Sequence, residues 1–372
     1  VPSFGGSLLL LAATAFAAPP DASAPAAADS ARPAPELPSV RPTAWVRPGF
    51  SWIADDPANP TAQDGFTIEA RVGVDASLPR IPVSAHVEIA LLPEPAATDA
   101  FVDASPHDWV TVRFGQMKVP FSLNRMASDT RRQLPRDPMF LREADISREI
   151  GLDASVRVPI AGQDRVVAWS GLYNGEGANR IQNVNQRFQL VERVLVTPFG
   201  ARGRVFEGTG RELYLGIGGG WMYDFAGDGL AAEETNTFAV DLQFAWDVLS
   251  LQAEALDQEI VHANATVADY HVQGFYAQIG SFIPAPWVRD HLEIVGRLEM
   301  SDPNTAFGSA DGESLAELQG TRRIQGGLNL YLRKNPANYH DIKLSAAYEH
   351  VDPLEGADSA DDSFTVTALA RF

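Results

Sequence analysis

Apolar and polar residues alternate with a period of two through most of the chain. Phe66, Ile68, Ala70, Val72 and Val74 alternate with Thr67, Glu69, Arg71 and Gly73. Phe238, Val240, Leu242, Phe244 and Trp246 alternate with Thr237, Ala239, Asp241, Gln243 and Ala245. Ile342, Leu344, Ala346 and Tyr348 alternate with Lys343, Ser345, Ala347 and Glu349. Side chains of a strand point to opposite faces in turn, so this pattern predicts strands with one apolar and one polar face. No stretch shows a comparably long helical period. The pattern predicts sixteen strands, near 43–53, 65–76, 82–92, 97–104, 108–117, 150–160, 164–174, 188–199, 211–223, 235–246, 247–257, 268–281, 288–300, 320–334, 339–351 and 362–372.

The length of these strands decides which face meets what. Many run about nine to eleven residues, against about five to six for an average strand of a soluble protein. About nine to eleven is what a tilted strand needs to cross a bilayer. The polar faces carry mid-strand charges such as Glu69, Arg71, Glu88, Arg113, Asp153, Arg157, Asp241, Glu254, Glu293, Arg297, Lys343 and Glu349. Those charges are tolerable beside a water-filled lumen and costly in lipid. The strand count is even, and the connections alternate between a mostly short set, with 200–210 its longest member, and a mostly long set, in which only 93–96 is short. Short members include 77–81, 105–107, 161–163 and the reversal at Asp247; long members include 54–64, 118–149, 301–319 and 352–361. Short periplasmic turns and long external loops are the asymmetry of an outer-membrane barrel. The expected fold is all-β: a closed antiparallel transmembrane β-barrel of about 16 strands, spanning 43–372, with a pore-constricting loop. Its expected place is the outer membrane of a Gram-negative bacterium.

Composition narrows the chemistry. The chain has 372 residues, no cysteine and a formal net charge of −19, with 45% hydrophobic and 21% charged residues. Disulfides, thiolate metal sites and cysteine nucleophiles are excluded. The acidic balance argues against nucleic acid, whose phosphates need clustered Lys and Arg. Residues 1–17 read as a signal peptide: Ser7 to Phe16 is an apolar run, and Ala15-Phe16-Ala17 is a small-x-small cleavage pattern. The basic n-region of such a segment is missing and the chain opens on Val1, as a truncated signal peptide would. Between Ala18 and Pro38, 14 of 21 residues are Ala or Pro, so 18–42 is expected to be an extended linker.

Several segments, in order, resemble the phosphate-selective porin O and P family. They are Asp99-Ala100-Phe101-Val102, Phe114-Gly115-Gln116-Met117-Lys118-Val119-Pro120-Phe121, Ser147-Arg148-Glu149-Ile150-Gly151-Leu152 and Gly171-Leu172-Tyr173-Asn174-Gly175-Glu176-Gly177. Arg193 to Phe199, Gly327 to Leu332 and the terminal aromatic Phe372 complete the series. The resemblance spans 99–372. It implies a sixteen-stranded barrel, a homotrimer, and passive diffusion of small, anionic or phosphate-like solutes. The family's phosphate channel combines an arginine ladder with a lysine cluster; here Lys118 is the single lysine of the long loop.

A diffusion channel does no chemistry, so its functional residues are those of its constriction. The longest connection, 118–149, is the candidate to fold into the lumen. It carries Lys118, Arg125, Arg131, Arg132, Arg136, Arg142 and Arg148 against Asp129, Asp137, Glu143, Asp145 and Glu149. Its cations cluster in the first half, and Arg113 precedes it on a polar strand face. Arg113, Lys118, Arg125, Arg131, Arg132 and Arg136 are therefore the candidate constriction and anion-binding residues, since guanidinium forks in a narrow pore attract oxyanions. The alternative is a salt-bridged plug or subunit contact without selectivity. Trp45, Trp52, Trp109, Trp169, Trp221, Trp246 and Trp287 fall mostly near strand ends, as an interfacial girdle would.

No cofactor or metal is expected: the seven histidines show no zinc spacing. No G-x-S-x-G elbow is present. The leading function is a porin and not an enzyme, with lipid and lipopolysaccharide as surroundings and small solutes as cargo. A non-selective porin, an outer-membrane enzyme and a plugged structural or adhesive barrel are the alternatives.

Overall fold

The computed structural model describes residues 38–54, 65–79, 81–183, 187–199, 213–225, 233–264, 268–305, 320–332, 340–354 and 361–372. The expected signal peptide and most of the expected linker lie outside them. All sixteen predicted strands are present. The first half comprises β1 (Ser39–Ile53), β2 (Gly65–Leu78), β3 (Val83–Leu92), β4 (Ala96–His107), β5 (Val110–Lys118), β6 (Arg148–Ile160), β7 (Gln163–Tyr173) and β8 (Gln189–Phe199). The second comprises β9 (Tyr214–Asp224), β10 (Glu233–Trp246), β11 (Leu249–His262), β12 (Tyr270–Phe282), β13 (Leu292–Asp302), β14 (Thr321–Tyr331), β15 (Ile342–Pro353) and β16 (Asp361–Arg371). Each pairs antiparallel with its sequence neighbours, and β1 also pairs with β16, which closes the barrel. Closure gives every strand two hydrogen-bonded edges, the condition for sheet to exist in lipid.

The polar faces point inward. Arg193, Asp241, Glu254, Glu293, Arg297 and Glu349 are buried inside the barrel, whereas Val194, Val240, Ile279, Ile294, Ile324 and Leu328 are exposed on its outer surface. Tight turns join strands on one side. Ala161 and Gly162 both have positive φ, 52° and 75°, and Asp247 has φ 49°; turns of this kind match the right-handed twist of a hairpin.

Three strand ends differ from the sequence expectation by four residues or more, and two of these have a clear physical reason. β1 begins at Ser39, within the stretch expected as linker, because Ser39–Pro42 pair with Val74–Ser77 of the long strand β2. β11 continues five residues past 257, to His262. There the polarity inverts: Leu256 and Ile260 are buried inside, while Asp257 binds His271 and Gln273 on the outer side. The wall has risen above the apolar belt, so an alternation keyed to apolar-out ends early. β13 begins at Leu292 and not near 288, after a turn at 283–291 that the structure alone defines.

The connection between β5 and β6 folds into the barrel. It contains a short helix, α1 (Leu123–Met126), one 3-10 turn (Asp129–Arg131) and a second short helix, α2 (Met139–Glu143). Ser122 caps α1 by accepting from the Arg125 backbone N–H. The apolar side of the loop, Val119, Phe121, Phe140, Leu141, Ala144 and Ile146, forms one cluster with inward residues of the wall such as Val191, Met222, Leu256, Ile260 and Val272. Gly274 makes room for it: a Cβ there would lie 2.4 Å from the Phe140 Cβ. Leu134 forms a second contact with Val295 and Ala347.

Candidate functional site

The loop is fastened to one side of the barrel, the wall from β8 to β15. Arg193 donates to the Phe121 carbonyl at 2.6 Å and pairs with Asp241 at 2.7 Å. Gln133 donates to Glu293 at 2.6 Å, and Asn329 donates to the Gln133 carbonyl at 2.9 Å. Arg297 and Arg323 donate to the carbonyls of Arg136 and Asp137 at 2.7 and 2.5 Å. Glu299 accepts from the Met139 backbone at 2.8 Å and from Arg323 at 2.5 Å. Lys343 donates to the Arg132 carbonyl, and Glu143 accepts from Ser301. These wall groups are buried; the arginines and Lys343 bind loop backbone carbonyls, Glu299 binds Arg323 and loop backbone, and Glu293 is held by the neutral side chains of Gln133, Asn329 and Tyr331. An unpaired charge so placed would carry the full desolvation penalty. Burial pushes the Glu143 carboxyl above its ordinary range, against the Ser301 hydrogen bond.

The tip of the loop reaches the opposite wall. Asp129 pairs with Arg71 of β2 at 2.7 Å, with Arg132 at 3.0 Å and with Lys118 at 3.3 Å. Arg47 of β1 donates to the Asp129 carbonyl at 3.1 Å. Burial acts to raise the Asp129 carboxyl, but Lys118, Arg132, Arg71 and Arg148 together hold it well below the usual carboxylate range.

Between the loop and strands β1 to β7 and β16 lies an open cavity of about 830 Å³. Its charged lining comprises six cations, Arg41, Arg71, Arg113, Lys118, Arg148 and Arg371, and six acids, Asp75, Glu88, Asp99, Asp103, Asp129 and Asp153. Most are paired. Arg113 forks onto Asp103 at 2.7 and 2.8 Å, and its guanidinium lies 3.8 Å from the centre of the Phe101 ring. Arg148 forks onto Asp99 at 3.0 Å. Arg71 holds Glu88 at 3.0 Å and covers the Trp45 ring at 5.0 Å. Arg41 and His86 meet Asp75 at 2.9 and 2.7 Å.

The six residues expected at the constriction separate into groups. Arg113 and Lys118 line the cavity. Arg125 and Arg132 pair with Asp137, and Arg136 pairs with Glu349 at 2.7 Å, so these three brace the loop. Arg131 lies in the electrostatic reach of Arg371. The structure adds Arg41, Arg71, Arg148 and Arg371, which come from four different strands. Their signal in the sequence is a charge at a polar position of the alternation. Trp52, Trp109, Trp246 and Trp287 are exposed, as a girdle requires; Trp45 and Trp169 instead line the cavity. Among the described residues no group of three His, Asp or Glu could hold a metal ion, and no helix is long and apolar enough to cross a membrane.

Residues 84–216 match the family described as phosphate-selective porin O and P. No curated protein matches the chain in sequence. Among solved structures, the anion-selective porin from Comamonas acidovorans aligns with a TM-score of 0.61 at 12% identity, covering 90% of this chain and 100% of that one. OmpT of Vibrio cholerae aligns at 0.61 and 11% identity, covering 91% and 98%. The outer-membrane channel DcaP of Acinetobacter baumannii aligns at 0.57 and 13% identity, covering 90% and 97%. At these identities the structural likeness concerns the fold. The chain thus has the barrel fold of outer-membrane porins, and through residues 84–216 it resembles the phosphate-selective porin O and P family.

Proposed function

We propose that the barrel passes small hydrophilic solutes by passive diffusion along the path between the loop and strands β1 to β7, with a modest preference for anions. The observation that carries this reading is the charged cavity of about 830 Å³ that the loop leaves beside it. A plugged structural barrel would gain nothing from keeping such a space polar. Arg113 and Lys118 place cationic groups on the cavity, and the phosphate-selective family match over 84–216 favours anionic cargo, phosphate included. Arg125, Arg132 and Arg136 serve the same path indirectly, by holding the loop in place. No catalytic step is assigned to any residue.

One observation favours a second reading, a general porin with little selectivity: six acids face six cations in the cavity. Paired charges act on a passing ion as dipoles, and their fields cancel at short range. Planar-bilayer recordings of the purified protein separate the readings. Stepwise conductance with an anion-to-cation permeability ratio above one is expected. A ratio at or below one would remove the anion preference, and absence of conductance would remove the channel.

A homotrimer belongs to this proposal. Glu192 of β8 points outward between Leu190 and Val194, accepting from Ser170 of β7 at 2.7 Å. A carboxylate on an apolar outer wall is better accommodated against a second subunit than in lipid.

A further inference from the structure

Arg371 differs from the other cations of the cavity. It ends the inward face of β16, following Ser363, Thr365, Thr367 and Leu369 at alternate positions, and stands opposite Trp45 of β1 in register. Arg41, Arg71, Arg113, Lys118 and Arg148 each hold a carboxylate of the same cavity. Those contacts occupy Asp75, Glu88, Asp103, Asp129 and Asp99. The sixth acid, Asp153, accepts from Tyr173 at 3.1 Å, on β6 and β7. The Arg371 side chain makes no hydrogen bond or ion pair with any described residue. Five of the six cations are thus compensated in place, and one is not.

The loop approaches Arg371 at its 3-10 turn. Thr130 lines the cavity with Arg371, and Arg131 follows it in the 3-10 turn. Burial lowers the Arg131 guanidinium, and Arg371 lowers it further by charge repulsion, with Asp341 opposing. The Arg371 guanidinium, left without a carboxylate of the cavity, makes a local positive site on this path. A compensated pair has a field that falls off steeply, whereas a lone unit charge acts on any ion that passes.

We infer that Arg371 is the selectivity-determining residue of the channel and that its fork receives small permeating oxyanions. This rests on the channel reading above. A guanidinium offers two parallel N–H donors, which match the two oxygens of a carboxylate; chloride has no such pair of acceptors. The ligand class is therefore a small oxyanion with two free oxygens, held transiently and released into the vestibule, and formate is its smallest planar carboxylate.

The test uses the full-length protein in planar bilayers, with two readouts. One is the anion-to-cation permeability ratio in a potassium chloride gradient. The other is the inhibition of chloride current by added formate. A unit charge about 4 Å from an ion in water is worth about a fivefold preference, so R371Q is expected to lower the permeability ratio about fivefold. Loss of a bidentate charge-assisted pair should weaken formate inhibition about tenfold. R371K, which keeps the charge and loses the fork, should hold the permeability ratio within about twofold and lose most of the formate effect. Heat-modifiable migration in gels verifies that each variant is a closed barrel, and R131Q gives a second variant away from the last strand, expected to weaken formate inhibition as well. R113Q, which releases Asp103 from its cation, should lower the permeability ratio and leave formate inhibition intact. If R371Q and wild type agree in both readouts, or R371K inhibits as wild type does, the assignment is overturned. A conducting wild type that prefers cations would remove the anion preference proposed above. Formate inhibition, and its loss in R371Q, would still support the role of Arg371.

Discussion

Asp129→Asn tests how the loop is kept in the pore. The Asp129 side chain is only 13% exposed and meets three cations at 2.7, 3.0 and 3.3 Å. Stranding one member of a buried pair costs about 3–5 kcal/mol. Here each cation keeps another partner: Arg71 keeps Glu88 at 3.0 Å, Lys118 keeps the Ala127 carbonyl at 2.6 Å, and Arg132 keeps Asp137. The loss should therefore be smaller, about 2 kcal/mol, or up to about a thirtyfold rise in the undocked population of the loop tip. Single-channel records should show more frequent excursions to a larger conductance. The cavity would also lose one of its six acids, so the anion-to-cation ratio should rise. The pH dependence has a definite sign. Asp129 is held well below the usual carboxylate range, so its contribution is complete above about pH 3.9, the ordinary Asp value, and is lost only as pH falls through its lower docked value. Wild-type records should be equally quiet at pH 7 and near pH 4.5. Unchanged excursions and selectivity in Asp129→Asn, or noise in the wild type already near pH 4.5, would refute the clamp.

Gly274→Leu should raise the mean conductance with the barrel intact, because even its Cβ would lie 2.4 Å from Phe140 and must displace α2; overpacking of this kind costs about 1–3 kcal/mol, and an unchanged conductance would contradict the docking of α2. Glu143→Gln should be neutral or stabilising by up to about 1 kcal/mol in thermal unfolding, since burial raises the Glu143 carboxyl and a neutral amide can still accept from Ser301. Its penalty in the wild type is present at neutral pH and relieved as pH falls through the raised value, so mild acidification should stabilise the wild type more than the variant. Ser170→Cys introduces one thiol into a chain that has none; a short bis-maleimide should link subunits through it, and Ile294→Cys on the opposite wall should not link.

The barrel was legible because its physics has one period. A lumen and a lipid belt impose alternate polarity on every strand, so sixteen strands could be read from sixteen alternating runs. The errors cluster where that two-phase boundary stops. β11 was read to 257, because Asp257 takes an outward position that Leu249, Leu251, Ala253 and Ala255 hold lower down. Above the belt the outer surface meets water and the inner surface meets the loop, so Leu256 and Ile260 turn in. The inward course of the loop was legible from its length. Its seating was not, because it depends on Gly274 and on apolar residues from several strands that are neighbours only in the closed barrel.

The constriction was harder to read, for a reason that lies in electrostatics. Counting cations in residues 118–149 treats each as a free charge, yet a charge steers an ion only to the extent that nothing nearby cancels it. Arg113 and Asp103 face each other across one hairpin, a pairing that hairpin register alone can foretell. Arg136 and Glu349 lie 213 residues apart, and nothing local marks them as partners. Three of the six candidate cations therefore became fasteners of the loop, while the wall supplied others. Arg371 follows Ser363, Thr365, Thr367 and Leu369 on the inward face of β16, but its importance comes from what its neighbours leave undone. The acid around it is spent on other cations, so the net charge of −19 has little say at this point in the pore. Selectivity in such a channel is set by the residue left over after pairing, and pairing is a property of the closed barrel.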